Sequence, residues 1–90
     1  MESTEFSTEL SKLGNRLKQV RKHRKLTLLD LEVLSGINDS DISRYERGLE
    51  NIEFQTIFKL SKALEIDVKT LLDYEGPLPD NKDFQGFRKV

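Results

Sequence analysis

The sequence predicts an all-α protein: a compact five-helix bundle with a short C-terminal tail. Three observations carry this. Apolar residues recur at helical spacing in successive stretches, cap and stop residues separate those stretches, and no alternating run is long enough to suggest a sheet. Ninety residues make room for one small domain. There is no Cys, so the core must rest on packing or oligomerisation.

The first helix is expected over residues 8–24. Leu10, Leu13, Leu17 and Val20 follow an amphipathic spacing, and Ser7 and Thr8 are capping candidates, which leaves residues 1–7 as an N-terminal extension. Thr27 with Asp30 three positions on is a capping-box pattern, followed by Leu28, Leu31 and Leu34 and closed by Gly36. A third helix takes Asn38 as its cap with Asp41 three later, turns Ile42 and Tyr45 inward, and stops at Gly48. After an irregular Leu49 to Ile52, the residues Phe54, Ile57, Leu60, Ala63 and Leu64 form a fourth apolar stripe. Asp67 caps a last short helix carrying Val68, Leu71 and Leu72. These elements make a domain over residues 8–73. Residues 74–90 are a tail with helix breakers and two isolated aromatics, Phe84 and Phe87, either disordered or docked through them.

Formal charge is -1, from 15 Lys+Arg against 16 Asp+Glu. Taken as one number, this argues against a nucleic-acid binder. The distribution says otherwise: Lys12, Arg16, Lys18, Arg21, Lys22, Arg24 and Lys25 put seven basic residues and no acid into fourteen positions. A local positive field can therefore exist in a weakly acidic protein, although a basic stripe is also what an ordinary solvated helix face looks like.

Enzyme chemistry is hard to assemble from these parts. His23 is the single His, thiolate chemistry and Cys-held zinc are excluded, and no phosphate-cradling Gly loop or paired-acid motif appears. No metal or cofactor is expected. The longest apolar runs are two or three residues, too short for a transmembrane span, and the N-terminus is unlike a secretory signal, so the expected location is the cytoplasm, on the nucleoid when bound to DNA. His23 lies on a basic helix and is expected to be exposed.

Two short helices joined by a tight turn with Gly make a helix-turn-helix unit, here residues 27–47, whose second helix can lie in the major groove of DNA. Residues 16–72 closely resemble the Cro and phage-repressor type of helix-turn-helix family, the xenobiotic-response-element regulators. The matching pieces are Arg21, Leu26-Thr27, Leu31, Ser35-Gly36-Ile37, Ile42 to Gly48, Asn51 and Lys62-Ala63-Leu64. The resemblance implies a bundle of the lambda-repressor-like DNA-binding type. It also implies a sequence-specific, double-stranded-DNA-binding transcriptional regulator, read as a bacterial or phage repressor.

The resemblance further implies that Arg21 pairs with Glu46 as a structural ion pair tying the first helix to the end of the third. Base edges would be met by Asn38, Asp39, Ser40, Ser43 and Arg44. Arg44 is the main specificity candidate, since its planar fork can hold O6 and N7 of guanine together; contact with phosphate or a neighbouring acid is its alternative. Asp39 can accept from cytosine N4, or with Asp41 simply favour the positive end of the helix dipole. DNA-backbone contacts are expected from Lys25, Thr27, Arg47 and Asn51.

Some residues depart from the family pattern. Lys25 stands where Gly is common and is expected to take a left-handed conformation. Leu28 replaces a Gln that helps hold the backbone. Glu32 replaces a small residue, so either it finds a basic partner or the second and third helices separate slightly. With Leu49 in place of a frequent base, DNA affinity is expected to be modest and salt-sensitive.

A single recognition helix reads only a few base pairs, so a homodimer on a palindromic operator is expected. Ile52, Phe58, Leu72 and Tyr74 are the interface candidates, with Phe54 and the tail as further apolar material. The rival reading is a protein-interaction module, an antitoxin or adaptor using the same fold, with the acidic surface or the tail gripping another protein.

Overall fold

The structure, a computed structural model, describes residues 4–89. Residues 1–3 and 90, the ends of the expected extension and tail, lie outside the described residues. Helix α1 (Thr4–His23) leads to α2 (Leu28–Ser35), α3 (Asp39–Glu46), α4 (Phe54–Leu64) and α5 (Val68–Leu72), and a short 3-10 turn, Gly86–Lys89, follows within the tail. No strand occurs among the described residues.

The core is built from the stripes that the periodicity marks. Leu17, Val20, Leu31, Ile42, Leu60, Leu64 and Leu71 are each at most 1% exposed, so every one of the five helices contributes. Burying a side chain of this kind is worth roughly 1.5–3 kcal/mol. The helix ends follow local chemistry. At α2, Thr27 Oγ1 accepts from the Asp30 backbone N–H at 3.0 Å and the Asp30 carboxylate accepts from the Thr27 backbone N–H at 2.9 Å, a closed capping box. At α3 the Asn38 side chain accepts from the Ser40 backbone N–H. The Asp67 side chain likewise caps α5 at the Thr70 backbone N–H, 2.8 Å away.

Among the described residues helix α1 already includes Thr4, ahead of the expected start at residue 8. Thr8, expected near the cap, instead donates its hydroxyl to the Thr4 carbonyl at 2.9 Å, the back-bond that a threonine makes inside a helix. Neither Gly nor Pro lies between Thr4 and Thr8 to stop the helix earlier. Its far end closes through Lys25 at φ 63, with the Lys25 and Leu26 N–H groups donating to the Lys22 and Arg21 carbonyls. A lysine thus occupies the left-handed position that usually takes Gly. α4 ends on a second such residue, Glu65 at φ 59.

Three arginines of the basic block are structural. Arg16, Arg21 and Arg24 are 2%, 6% and 6% exposed. Arg16 donates to the Thr70, Gly76 and Pro77 carbonyls. Arg24 donates to the Leu64, Glu65 and Asp80 carbonyls and to the Asn81 side chain, and its guanidinium lies 4.4 Å from the centre of the Phe84 ring. Burial lowers the Arg24 pKa, and the neighbouring Glu65 and Asp80 oppose that shift. His23, expected to be exposed, is half-buried with Nε2 2.6 Å from the Pro79 carbonyl, because the tail crosses the end of α1.

The tail is therefore ordered against its own chain and does not hang free. Phe84 is half-buried, the Glu65 carboxylate accepts from the backbone N–H groups of Gln85 and Gly86, and Phe87 stays 43% exposed.

Candidate nucleic-acid interface

Helix α3 is seated by two inward residues, Ile42 at 0% and Glu46 at 6% exposure. Glu46 takes two hydrogen bonds from Arg21, Nε to Oε2 at 2.7 Å and Nη2 to Oε1 at 3.0 Å, while Arg21 Nη1 donates to the Leu26 carbonyl. The pair is buried on both sides. It fixes the C-terminal end of α3 to α1 and to the entry of α2. Gly14 on α1 lets the two helices approach closely: a Cβ there would lie 2.4 Å from the Tyr45 carbonyl.

With Ile42 and Glu46 inward, Ser40 and Arg44 lie on the opposite side of α3, Asp39 and Ser43 lie on its flank, and the cap Asn38 joins them at the start. Asn38, Ser40 and Arg44 are exposed, and Asp39 and Ser43 are partly exposed. Asn38 Oδ1 is already engaged, since it accepts from both the backbone N–H and the hydroxyl of Ser40. Arg44 pairs with Glu50 in the loop beyond α3, Nε to Oε1 at 2.8 Å, with both side chains about half exposed.

Glu32 finds no basic partner among the described residues. Its Oε1 accepts from the Asp39 backbone N–H at 2.8 Å, so it caps α3 from α2 and bridges the two helices. A carboxylate at the positive end of a helix is favourable, which gives this long acid a role where a small residue is usual. It also means that one N–H at the start of α3 is no longer open to a phosphate. The start of α2 is similar, because the Asp30 carboxylate holds the Thr27 N–H.

Of the expected backbone contacts, Lys25, Thr27, Arg47 and Asn51 are all exposed. Lys25 and Thr27 flank the entry of α2, while Arg47 and Asn51 follow α3, so the four bracket the helix-turn-helix unit in sequence. Arg47 Nε leans back on the Ser43 carbonyl at 3.3 Å. Lys18 and Lys22 are exposed on α1.

Among the candidate dimer residues, Ile52 is corrected: at 8% exposure it belongs to the core, where the loop into α4 turns inward. Phe58 and Leu72 are 49% and 38% exposed, and Tyr74 is half-buried. Burial, and after it the nearby Glu9, pushes the Tyr74 phenol pKa up. Phe54, placed on the apolar stripe of α4, instead stands 66% exposed at its first turn, in line with Phe58 one turn on.

Sequence reasoning missed Glu50 and Glu32 as partners. Glu50 reaches Arg44 only because Gly48 reverses the chain at φ 71 and the Leu49 N–H closes on the Arg44 carbonyl. The signal available was an acid two residues past a helix-ending Gly, which is weak.

The helix-turn-helix family model HTH_3 matches residues 17–71. The transcriptional regulator SinR of Bacillus subtilis is 37% identical over 73 residues, covering 73% of this chain and 66% of SinR. The antitoxin HipB of Escherichia coli K12 is 31% identical over 75 residues, covering 83% of this chain and 84% of HipB. Among solved structures, the restriction-modification controller protein C.AhdI of Aeromonas hydrophila aligns with a TM-score of 0.70 at 36% identity, covering 71% of this chain and 97% of C.AhdI.

Proposed function

Since the chain belongs to the HTH_3 helix-turn-helix family, we propose that it is a sequence-specific DNA-binding transcriptional regulator, acting in the cytoplasm as a homodimeric repressor on a palindromic operator. Residues 8–73 are its DNA-binding domain. The observation that carries this is the presentation of α3: Ile42 and Glu46 anchor it to the body, Ser40 and Arg44 face outward, and Asn38, Asp39 and Ser43 stay at least partly exposed beside them. Lys25, Thr27, Arg47 and Asn51 would hold the flanking phosphates and set the register. Phe58, Leu72 and Tyr74, with Phe54, supply the dimer contact.

Selection of bound duplexes from random DNA tests the reading. The expected result is a palindromic site with half-sites about 34 Å apart, whose enrichment is lost in Arg44→Ala while the melting temperature stays at the wild-type value. Failure to enrich any sequence would overturn it.

The similarity to an antitoxin along 84% of that protein's length favours a second reading, in which the chain grips a protein partner. Under that reading the wild-type chain selects no DNA sequence on its own.

A further inference from the structure

The arginines of this chain differ in how much of the guanidinium they have spent. Arg21 uses all three nitrogens and Arg24 likewise, on Glu46, on carbonyls and on Asn81. Arg44 spends only Nε, on Glu50 Oε1, and neither of its terminal nitrogens has a hydrogen-bond partner among the described residues. Those two terminal nitrogens are the pair that can donate side by side to O6 and N7 of guanine.

We propose that Glu50 is a positioning residue for base readout, holding Arg44 from its Nε side so that the terminal pair is aimed away from the protein and into the groove. This rests on the DNA-binding reading above. A free arginine on an exposed helix has several bonds to freeze when it binds, and a preset one has fewer, so the pair favours the specific contact. The carboxylate has a second effect. It places a negative charge beside the Arg44 guanidinium, and like charge repels phosphate, so Glu50 weakens binding to arbitrary DNA. Both effects widen the gap between the right sequence and all others.

A structural role is a poor account of the pair. Exposed ion pairs of this kind contribute little to stability, and side-chain exposures of 52% and 42% put this one in that class.

The test uses the full chain, a duplex selected by the wild-type protein, the same duplex with the contacted guanine pair replaced, and an unrelated duplex. Glu50→Ala is expected to bind the selected duplex about tenfold more weakly and the unrelated duplex as tightly as wild type or more so, with an unchanged melt. Its preference for guanine should fall toward that of Arg44→Ala, and adding Glu50→Ala to Arg44→Ala should change that preference no further. Glu50→Gln keeps an acceptor oxygen and should retain the preference for guanine while binding unrelated DNA more tightly. Wild-type discrimination in Glu50→Ala would overturn the proposal, as would an equal loss caused by Glu50→Ala in the Arg44→Ala background. If wild type selects no sequence at all, the DNA-binding reading itself fails, which is a different result from either.

Discussion

Arg21 and Glu46 show what one buried charge demands of its surroundings. Each is nearly sequestered from water, and each is tolerable only because the other supplies charge and geometry. Glu46→Ala would leave Arg21 buried without its counter-charge, and denaturant unfolding should show a loss of roughly 3–5 kcal/mol. Replacing both together with apolar residues of similar volume should cost much less, because no orphan charge remains. A Glu46→Ala protein as stable as wild type would refute the burial argument. The pair was legible from the motif that places an arginine on α1 and an acid at the end of α3. Glu50 and Glu32 were not, because each reaches its partner across a turn, where no periodicity registers the contact. Lys25 lies between these cases: its left-handed backbone was implied by the resemblance, which puts Gly at that position.

At the level of the elements, hydrophobic spacing located five helices, since each buries one stripe and the stripe is visible in the letters. It failed at ends. Thr8 has the same composition signal whether it caps a helix or bonds back within one, and Phe54 lies at the first turn of α4, where the stripe has run past the core. The caps themselves carry a testable pH dependence. Hydrogen bonds from the Thr70 side chain and then from its backbone N–H hold the Asp67 carboxyl below the usual carboxylate range. A carboxylate whose folded pKa is depressed stabilises the fold above its unfolded pKa, and that contribution is lost as pH falls through the folded value. Thermal melts of wild type and Asp67→Asn should therefore converge in strongly acidic solution. Asparagine still accepts from the Thr70 N–H, and the difference present near neutrality should vanish on acidification. A constant difference across that range would show that Asp67 acts without its charge.

For the whole molecule, the tail is the largest departure from what the sequence suggested. Of the two aromatics that could dock it, Phe84 packs against the core and beneath the Arg24 guanidinium while Phe87 stays exposed, and the polar anchors are Arg16 and His23 on α1 and Arg24 just past its end. Hydropathy cannot register an arginine that reaches for main-chain oxygens sixty residues away. Ending the chain after Asp73 removes the carbonyls of Gly76, Pro77 and Asp80 that these arginines use. The expected loss is at least about 2 kcal/mol, or roughly 10 °C in Tm for a domain of this size. An unchanged melting temperature would mean that water replaces those acceptors at no cost. The basic block also reads differently in three dimensions. Lys12, Lys18, Lys22 and Lys25 face solvent, while the arginines among them hold the bundle together. The positive charge that this stretch leaves exposed is thus lysine charge, without the planar fork that reads bases.

The way Arg16 and Arg24 grip the tail has an evolutionary side. Most of their acceptors are main-chain carbonyls, at Leu64, Glu65, Thr70, Gly76, Pro77 and Asp80, and a carbonyl is the one acceptor that every amino acid carries. These bonds do not depend on the identity of the side chains that carry the carbonyls. Exposed positions such as Glu75 and Pro77 are free to drift, acquiring charge, bulk or a new contact for some other molecule without the strap coming loose, whereas Tyr74 and Leu78 also pack against the core. The two arginines, one on α1 and one just past its end, keep the scaffold fixed while the exposed positions of the tail they hold remain open to new specificity.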